Sequence, residues 1–137
     1  MSDSLSWVET KRIVHERAIF RCEYCQTPQK ATGQSMHVEH IIPNKSNLLD
    51  NLCLACPSCN LSKSSATDAT DPQTNEIVAL FNPRTQNWSE HFQWEDDGQI
   101  IAGKTPIGRA TIVRLKMNQL RIVEARKIWI LAGIHPP

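Results

Sequence analysis

Residues 22–63 read CEYCQTPQKATGQSMHVEHIIPNKSNLLDNLCLACPSCNLSK. Two CxxC pairs bracket this stretch, Cys22 with Cys25 and Cys56 with Cys59, with 30 residues between them. Each short turn presents two sulfurs from one side, so two such turns can close a tetrahedron of thiolates around zinc. A structural zinc held this way would clip the N-terminal segment to the middle of the chain and stabilise a domain whose core is modest. Buried cysteines without a metal are the plainer reading. Disulfides are disfavoured, because the five cysteines are an odd number and the opening MSDSLSWVETKR lacks the basic-then-apolar pattern of a secretory signal. A cytoplasmic location is the expectation. Cys53 complicates the count, since CLACPSC contains a further CxxC and looks like part of an iron–sulfur run, although the fourth cysteine followed by proline is missing. An iron–sulfur centre therefore stays open as an alternative. A strand through 51–56 would put Leu52, Leu54 and Cys56 on one side and Cys53 on the other, which makes Cys53 a small buried residue and not a ligand.

Working outward, Met36 to Ile42 has the pattern of a short strand ended by Pro43, and LLDNLCLA that of a second. Pro57 then opens a helix carrying Cys59, Asn60 and Lys63. Before the first knuckle, Ser6 and Glu9 form a capping box for a helix from Trp7 to Ile19, with Trp7, Val8, Ile13, Val14 and Ala18 on one face. Residues 26–35 read as a loop, and 64–75 as a polar connector. Glu76 to Leu80 reads as a strand, FNPR as a turn, NWSEHF as a helical turn and FQWEDDGQIIAG as a hairpin closing on Asp97 and Gly98. From Pro106 the chain is helical, with a break at Asn118, whose side chain would cap a last helix running to Ala132 before Gly133.

Hydrolysis of a phosphodiester needs an activated water, a charge sink at phosphorus and stabilisation of the departing oxygen. The segment between and beside the knuckles holds groups for each need: HVEHIIP, then Asn51, Asn60 and Lys63. An imidazole such as His40 exchanges a proton near neutrality and suits a general base. Glu39 and Asn60 offer the hard oxygen ligands that magnesium or manganese prefers, and His37 lies two residues before Glu39 on the same strand face.

The combination CEYC, HVEHIIP, DNLCLACPSCN and LSK resembles the HNH endonuclease family. The resemblance implies an α+β fold with a ββα-metal (His-Me finger) core and a structural zinc site, flanked by an N-terminal helix and by a C-terminal hairpin and helices. It implies a single HNH domain over 1–137, with the core motif at 22–66 and the extension at 76–137. The implied activity is metal-dependent cleavage of DNA. His40 would be the base, Glu39 and Asn60 would hold Mg2+ or Mn2+ with His37 as an added ligand, Asn51 would tie the loop that holds His40, and Lys63 would touch a phosphate. Three positions depart from the commonest wording: Glu39 replaces an aspartate, Asn60 a histidine, and Lys45, Ser46 and Asn47 a glycine pair.

Net charge is only +1, yet residues 1–103 carry eight basic and 13 acidic side chains whereas 104–137 carry seven basic and one acidic. Such a cationic stretch can track a nucleic-acid backbone, with Arg109 and Arg114 the first candidates; the bland alternative is the solvated face of an amphipathic helix. The four tryptophans (7, 88, 94 and 129) read as core before base-stacking platforms, and Arg84 and His91 either serve the site or close turns. The longest apolar run, Ile128 to Ala132, is five residues, far below the roughly 18 of a membrane span. A competing function is a non-catalytic zinc-knuckle module that binds nucleic acid or protein, for which neither Glu39 nor His40 is needed.

Overall fold

In the computed structural model, which describes residues 5–137, β1 (His37–His40) and β2 (Leu52–Ala55) form an antiparallel pair, with Glu39 opposite Cys53 and His40 opposite Leu52. Residues 1–4 of the expected 1–137 domain lie outside the described residues. All four residues of β2 are buried, because α1 (Trp7–Arg17) and α3 (Pro57–Lys63) both pack against it. The expected alternation along this strand is therefore masked: Cys53 and Leu54 are both inside. The segment read as the start of that strand is instead a 3₁₀ turn, Leu49–Asn51. Arg17 fixes it by donating to the carbonyls of Leu49 (3.0 Å) and Leu52 (2.6 Å).

Helix α1 begins where Ser6 Oγ accepts from the Glu9 amide at 3.1 Å, and it ends two residues before Ile19, because Ile19 and Phe20 both adopt positive φ. Its buried side is narrower than expected, Thr10 and Val14, so Trp7 and Val8 stay exposed. A short helical turn, α2 (Gln29–Thr32), interrupts the expected loop. Helix α3 starts on Cys56, whose sulfur accepts from the Cys59 amide, with Pro57 at its first position.

The stretch 64–75 is more than a connector. It contains β3 (Asp68–Thr70), which pairs antiparallel with β4 (Ile77–Ala79). The turn between them is organised by Asp71, whose carboxylate accepts from the Gln73 amide (3.1 Å) and the Thr74 hydroxyl (2.8 Å). After α4 (Trp88–His91) comes the expected hairpin, β5 (Phe92–Glu95) and β6 (Ile100–Gly103), turning through Asp96, Asp97 and Gly98, all at positive φ. Helix α5 (Pro106–Leu115) packs against β6 and against the end of α4, the latter so closely that a Cβ on Gly108 would collide with the His91 carbonyl.

Helix α6 (Leu120–Leu131) closes the described chain, with Gly133 in the left-handed region beyond it. Asn118 does not cap α6. Its amide bonds both the carbonyl (2.8 Å) and the amide (3.0 Å) of Ile101, acting as a strand partner for β6. Trp129 is buried, Trp88 and Trp94 are half-buried, and Trp7 is the exposed exception. No described helix is long and apolar enough to cross a membrane.

Candidate functional site

The two CxxC turns meet, the first following α1 and the second opening α3. The sulfurs of Cys22, Cys25, Cys56 and Cys59 all lie within 4.8 Å of one another, and all four residues are buried. Cys25 Sγ and Cys56 Sγ are 3.6 Å apart, close to the edge of about 3.8 Å that a tetrahedron with Zn–S bonds of about 2.3 Å requires. In each turn the second cysteine's amide points at the first sulfur, Cys25 to Cys22 at 3.5 Å and Cys59 to Cys56 at 3.4 Å. The Thr27 hydroxyl lies 3.0 Å from Cys25 Sγ. Burial pushes the Cys22 thiol well up, and hydrogen bonding with Cys22 and Cys25 does the same to Cys59, while bonds from its neighbours hold Cys25 down. Four thiols so placed cannot all ionise unless a soft dication compensates them, and this donor set suits structural zinc. Cys53 is outside the cluster; its thiol meets the Tyr24 hydroxyl at 3.6 Å, and burial pushes it up to about 12.

Behind this knuckle, the end of β1 and the exposed side of α3 enclose a cleft of about 450 Å³, lined by Val38, Glu39, His40, Pro43, Asn44, Asn60, Ser64 and Ser65. Glu39, His40 and Asn60 thus share one space, and among the described residues Glu39 supplies its only carboxylate. Glu39 is buried, and its Oε1 has no hydrogen-bond partner. Burial raises its carboxyl to about 7 against the opposing pull of Lys63 and of the Tyr24 hydroxyl. His40 Nε2 stands 2.5 Å from Asn47 Oδ1. In the tautomer in which Nε2 donates, Nδ1 is left as a free acceptor.

Asn51 acts on the backbone, not on the imidazole. Its Oδ1 accepts from the Ile42 amide (3.0 Å), and its Nδ2 donates to the carbonyls of Ile42 (3.1 Å) and Ser46 (3.0 Å), lacing the loop after β1 to β2. Asn47, which sequence reasoning passed over as a substitute for glycine, is the residue that touches the ring. The available signal was an amide side chain seven residues past the histidine, within reach across a tight loop.

Other expected positions fall elsewhere. Lys63 faces inward, 2 % exposed, with Nζ 3.0 Å from the Ile41 carbonyl, 3.5 Å from that of His40 and 3.8 Å from Glu39 Oε1. A phosphate in solvent cannot reach this ammonium, because an ammonium placed at the last turn of a helix seeks the uncovered carbonyls and carboxylate beside it. His37 is exposed at the start of β1 and does not line the cleft; two residues carry it about 6.6 Å along the strand from Glu39. Arg109 is committed to Asp71 through a bidentate pair, with both contacts at 2.9 Å, which holds the Asp71 carboxyl far below its ordinary range. It is not free to bind nucleic acid. Arg114 remains exposed, with Nη2 3.4 Å from the Lys63 carbonyl. Arg84 pairs with Glu23, whose other oxygen accepts from the Leu54 amide at 2.8 Å, and His91 Nδ1 meets Thr105 Oγ1 at 2.7 Å. Neither lines the cleft: Arg84 ties the FNPR turn to the first knuckle, and His91 ties the end of α4 to the residue that caps α5.

Residues 22–66 match the family model for HNH endonucleases, about a third of the chain, including both CxxC turns and every residue of β1, β2 and α3. No curated protein and no solved structure gives a match.

Proposed function

We propose that this chain, with its HNH segment at 22–66, is a metal-dependent nuclease that hydrolyses DNA phosphodiester bonds, with β1, β2 and α3 as a ββα-metal core inside a single domain. The observation that carries this reading is the shared cleft of Glu39, His40 and Asn60. Glu39 Oε1, buried without a hydrogen-bond partner, fits a cation, and the Asn60 carboxamide can supply a second hard oxygen. A bound Mg2+ or Mn2+ would lend positive charge to the phosphate oxygens.

The remaining work falls to side chains. His40, its Nε2 committed to Asn47, takes the proton of the attacking water at Nδ1. Asn51 keeps the loop closed, so that the ring does not drift. The exposed Lys45, which lines a recess shared with His40, Asn44 and Asn47, and Arg114 take the phosphate-contact role assigned by sequence to Lys63.

The experiment is plasmid nicking in Mg2+, Mn2+ and EDTA. His40→Ala abolishes cleavage while zinc content and far-UV circular dichroism stay as in the wild type; equal cleavage by the variant rejects the reading. One observation favours a non-catalytic binding module instead: Lys63 already offsets the charge of Glu39 within the protein. DNA binding with no turnover in any divalent metal, on double- and single-stranded substrates, decides for that module.

A further inference from the structure

The proposed base and the proposed metal ligand are neighbours in sequence, and neighbours on a strand point to opposite sides. Both nevertheless line the same cleft, and the backbone bends at Ile41 and Ile42, directly after His40. Strand β1 does end there. Pairing runs on through the Ile41 amide, which donates to the Asn51 carbonyl at 2.8 Å, while the carbonyls of His40 and Ile41 meet one buried group on α3, Lys63 Nζ, at 3.5 Å and 3.0 Å, with Glu39 Oε1 at 3.8 Å. The ammonium donates to the two carbonyls and stands at ion-pair distance from the carboxylate, so one group meets oxygens from three consecutive residues.

Lys63 and Asn60 lie one turn apart on α3, so the same side of the helix delivers an amide into the cleft and a cation beneath the strand. At 2 % exposure Lys63 presents almost no surface to a solvent phosphate. We propose that Lys63 is a positioning residue, whose contacts with Glu39, His40 and Ile41 set the bend that turns both the base and the metal ligand into one cleft. The inference rests on the nuclease reading for its kinetic consequence, but not for its structural one.

Lys63→Met, which keeps the length of the side chain and removes its three donors, tests this. Expected are one zinc per chain, an unchanged KM and salt dependence of binding, and a kcat for nicking in Mn2+ lower by about 10- to 100-fold. The His40 ring signals in a 1H–15N spectrum shift as well. Glu39 loses its charge partner in this variant, so if the protein fails to fold, the ring signals are compared between Glu39→Gln and the Glu39→Gln/Lys63→Met pair. A raised KM with a shallower salt slope and an unchanged kcat overturns the proposal in favour of a phosphate contact; ring signals that stay put in both backgrounds also overturn it. If the wild type cuts nothing, the nuclease reading fails, and the ring comparison still decides for or against the tether.

Discussion

The segment 22–66 and the segment 104–137 both concentrate polar groups in sequence, and they use them in opposite ways. In the first, four cysteines separated into two pairs converge to within 4.8 Å, and Glu39, His40 and Asn60 line one cleft. In the second, the basic groups disperse. Arg126 is fully buried and donates to the carbonyls of Gln99 (2.9 Å) and Met117 (2.5 Å) and to Asn118 Oδ1 (3.0 Å), with its guanidinium 5.3 Å from the Trp94 ring. Arg109 is locked to Asp71, and Lys104 donates to the Ser89 carbonyl at 2.8 Å. Spacing within a short turn leaves few conformations, so it dictates where ligand atoms point. A count of charges says nothing about direction.

The largest effect expected from breaking this contrast lies at the knuckle. Cys22→Ser or Cys59→Ser should release zinc and unfold the domain, because structural zinc contributes on the order of 10 kcal/mol, comparable with the whole stability of a small protein. Cys53→Ser should keep one zinc per chain, losing about 1–3 kcal/mol for its buried hydroxyl. Metal analysis alongside circular dichroism checks both, and zinc lost with Cys53 would redraw the quartet.

Next in size is Arg126→Met. One buried and two half-buried oxygens lose a charged donor, and stability should fall by about 4 kcal/mol in urea unfolding. DNA affinity should not change. A variant of normal stability that binds DNA more weakly would return Arg126 to a cationic surface.

What the sequence made legible follows the same division. Each CxxC turn, the helix opening at Pro57 and the hairpin around Asp97 and Gly98 were readable because each rests on contacts within a few residues, and the joining of the two turns followed from the four ligands that tetrahedral zinc requires. Strand β3 was hidden: its three residues exist as a strand only through pairing with β4 and the Asp71 turn, which Arg109 completes from 38 positions away. The direction of Lys63 was equally hidden. Helical spacing puts it on the face of Asn60, but whether the chain reaches water or the back of β1 depends on where that strand ends. Asn118 looked like a cap and is a strand partner for the same reason, since Ile101 is 17 positions away.

Glu39 offers a test of the cleft through pH. Its folded carboxyl is raised to about 7 by burial, above the ordinary 4.5, so the folded state holds a proton that the unfolded chain releases. That contribution is present in full below about 4.5 and is lost as pH rises to about 7. With zinc retained and magnesium withheld, the wild type should lose up to about 3 kcal/mol across this window relative to Glu39→Gln. Parallel curves for the two proteins would place the carboxylate in water, not in the wall of the cleft.

The smallest effect separates the two arginines on which the basic tail was first judged. Arg114 is exposed beside the end of α3, next to Ser64 and Ser65 of the cleft, so Arg114→Ala should weaken DNA binding severalfold, reduce the salt slope by about one and leave the melting temperature nearly unchanged. Arg109→Ala should do the reverse. It strands the Asp71 carboxylate inside the β3–β4 turn and lowers stability, but the salt slope holds, because that guanidinium is already committed to Asp71 through two bonds. Salt slopes equal to the wild type's in both variants would mean that this segment contacts nucleic acid through neither residue, leaving the loop after β1, with Lys45, to supply the charge.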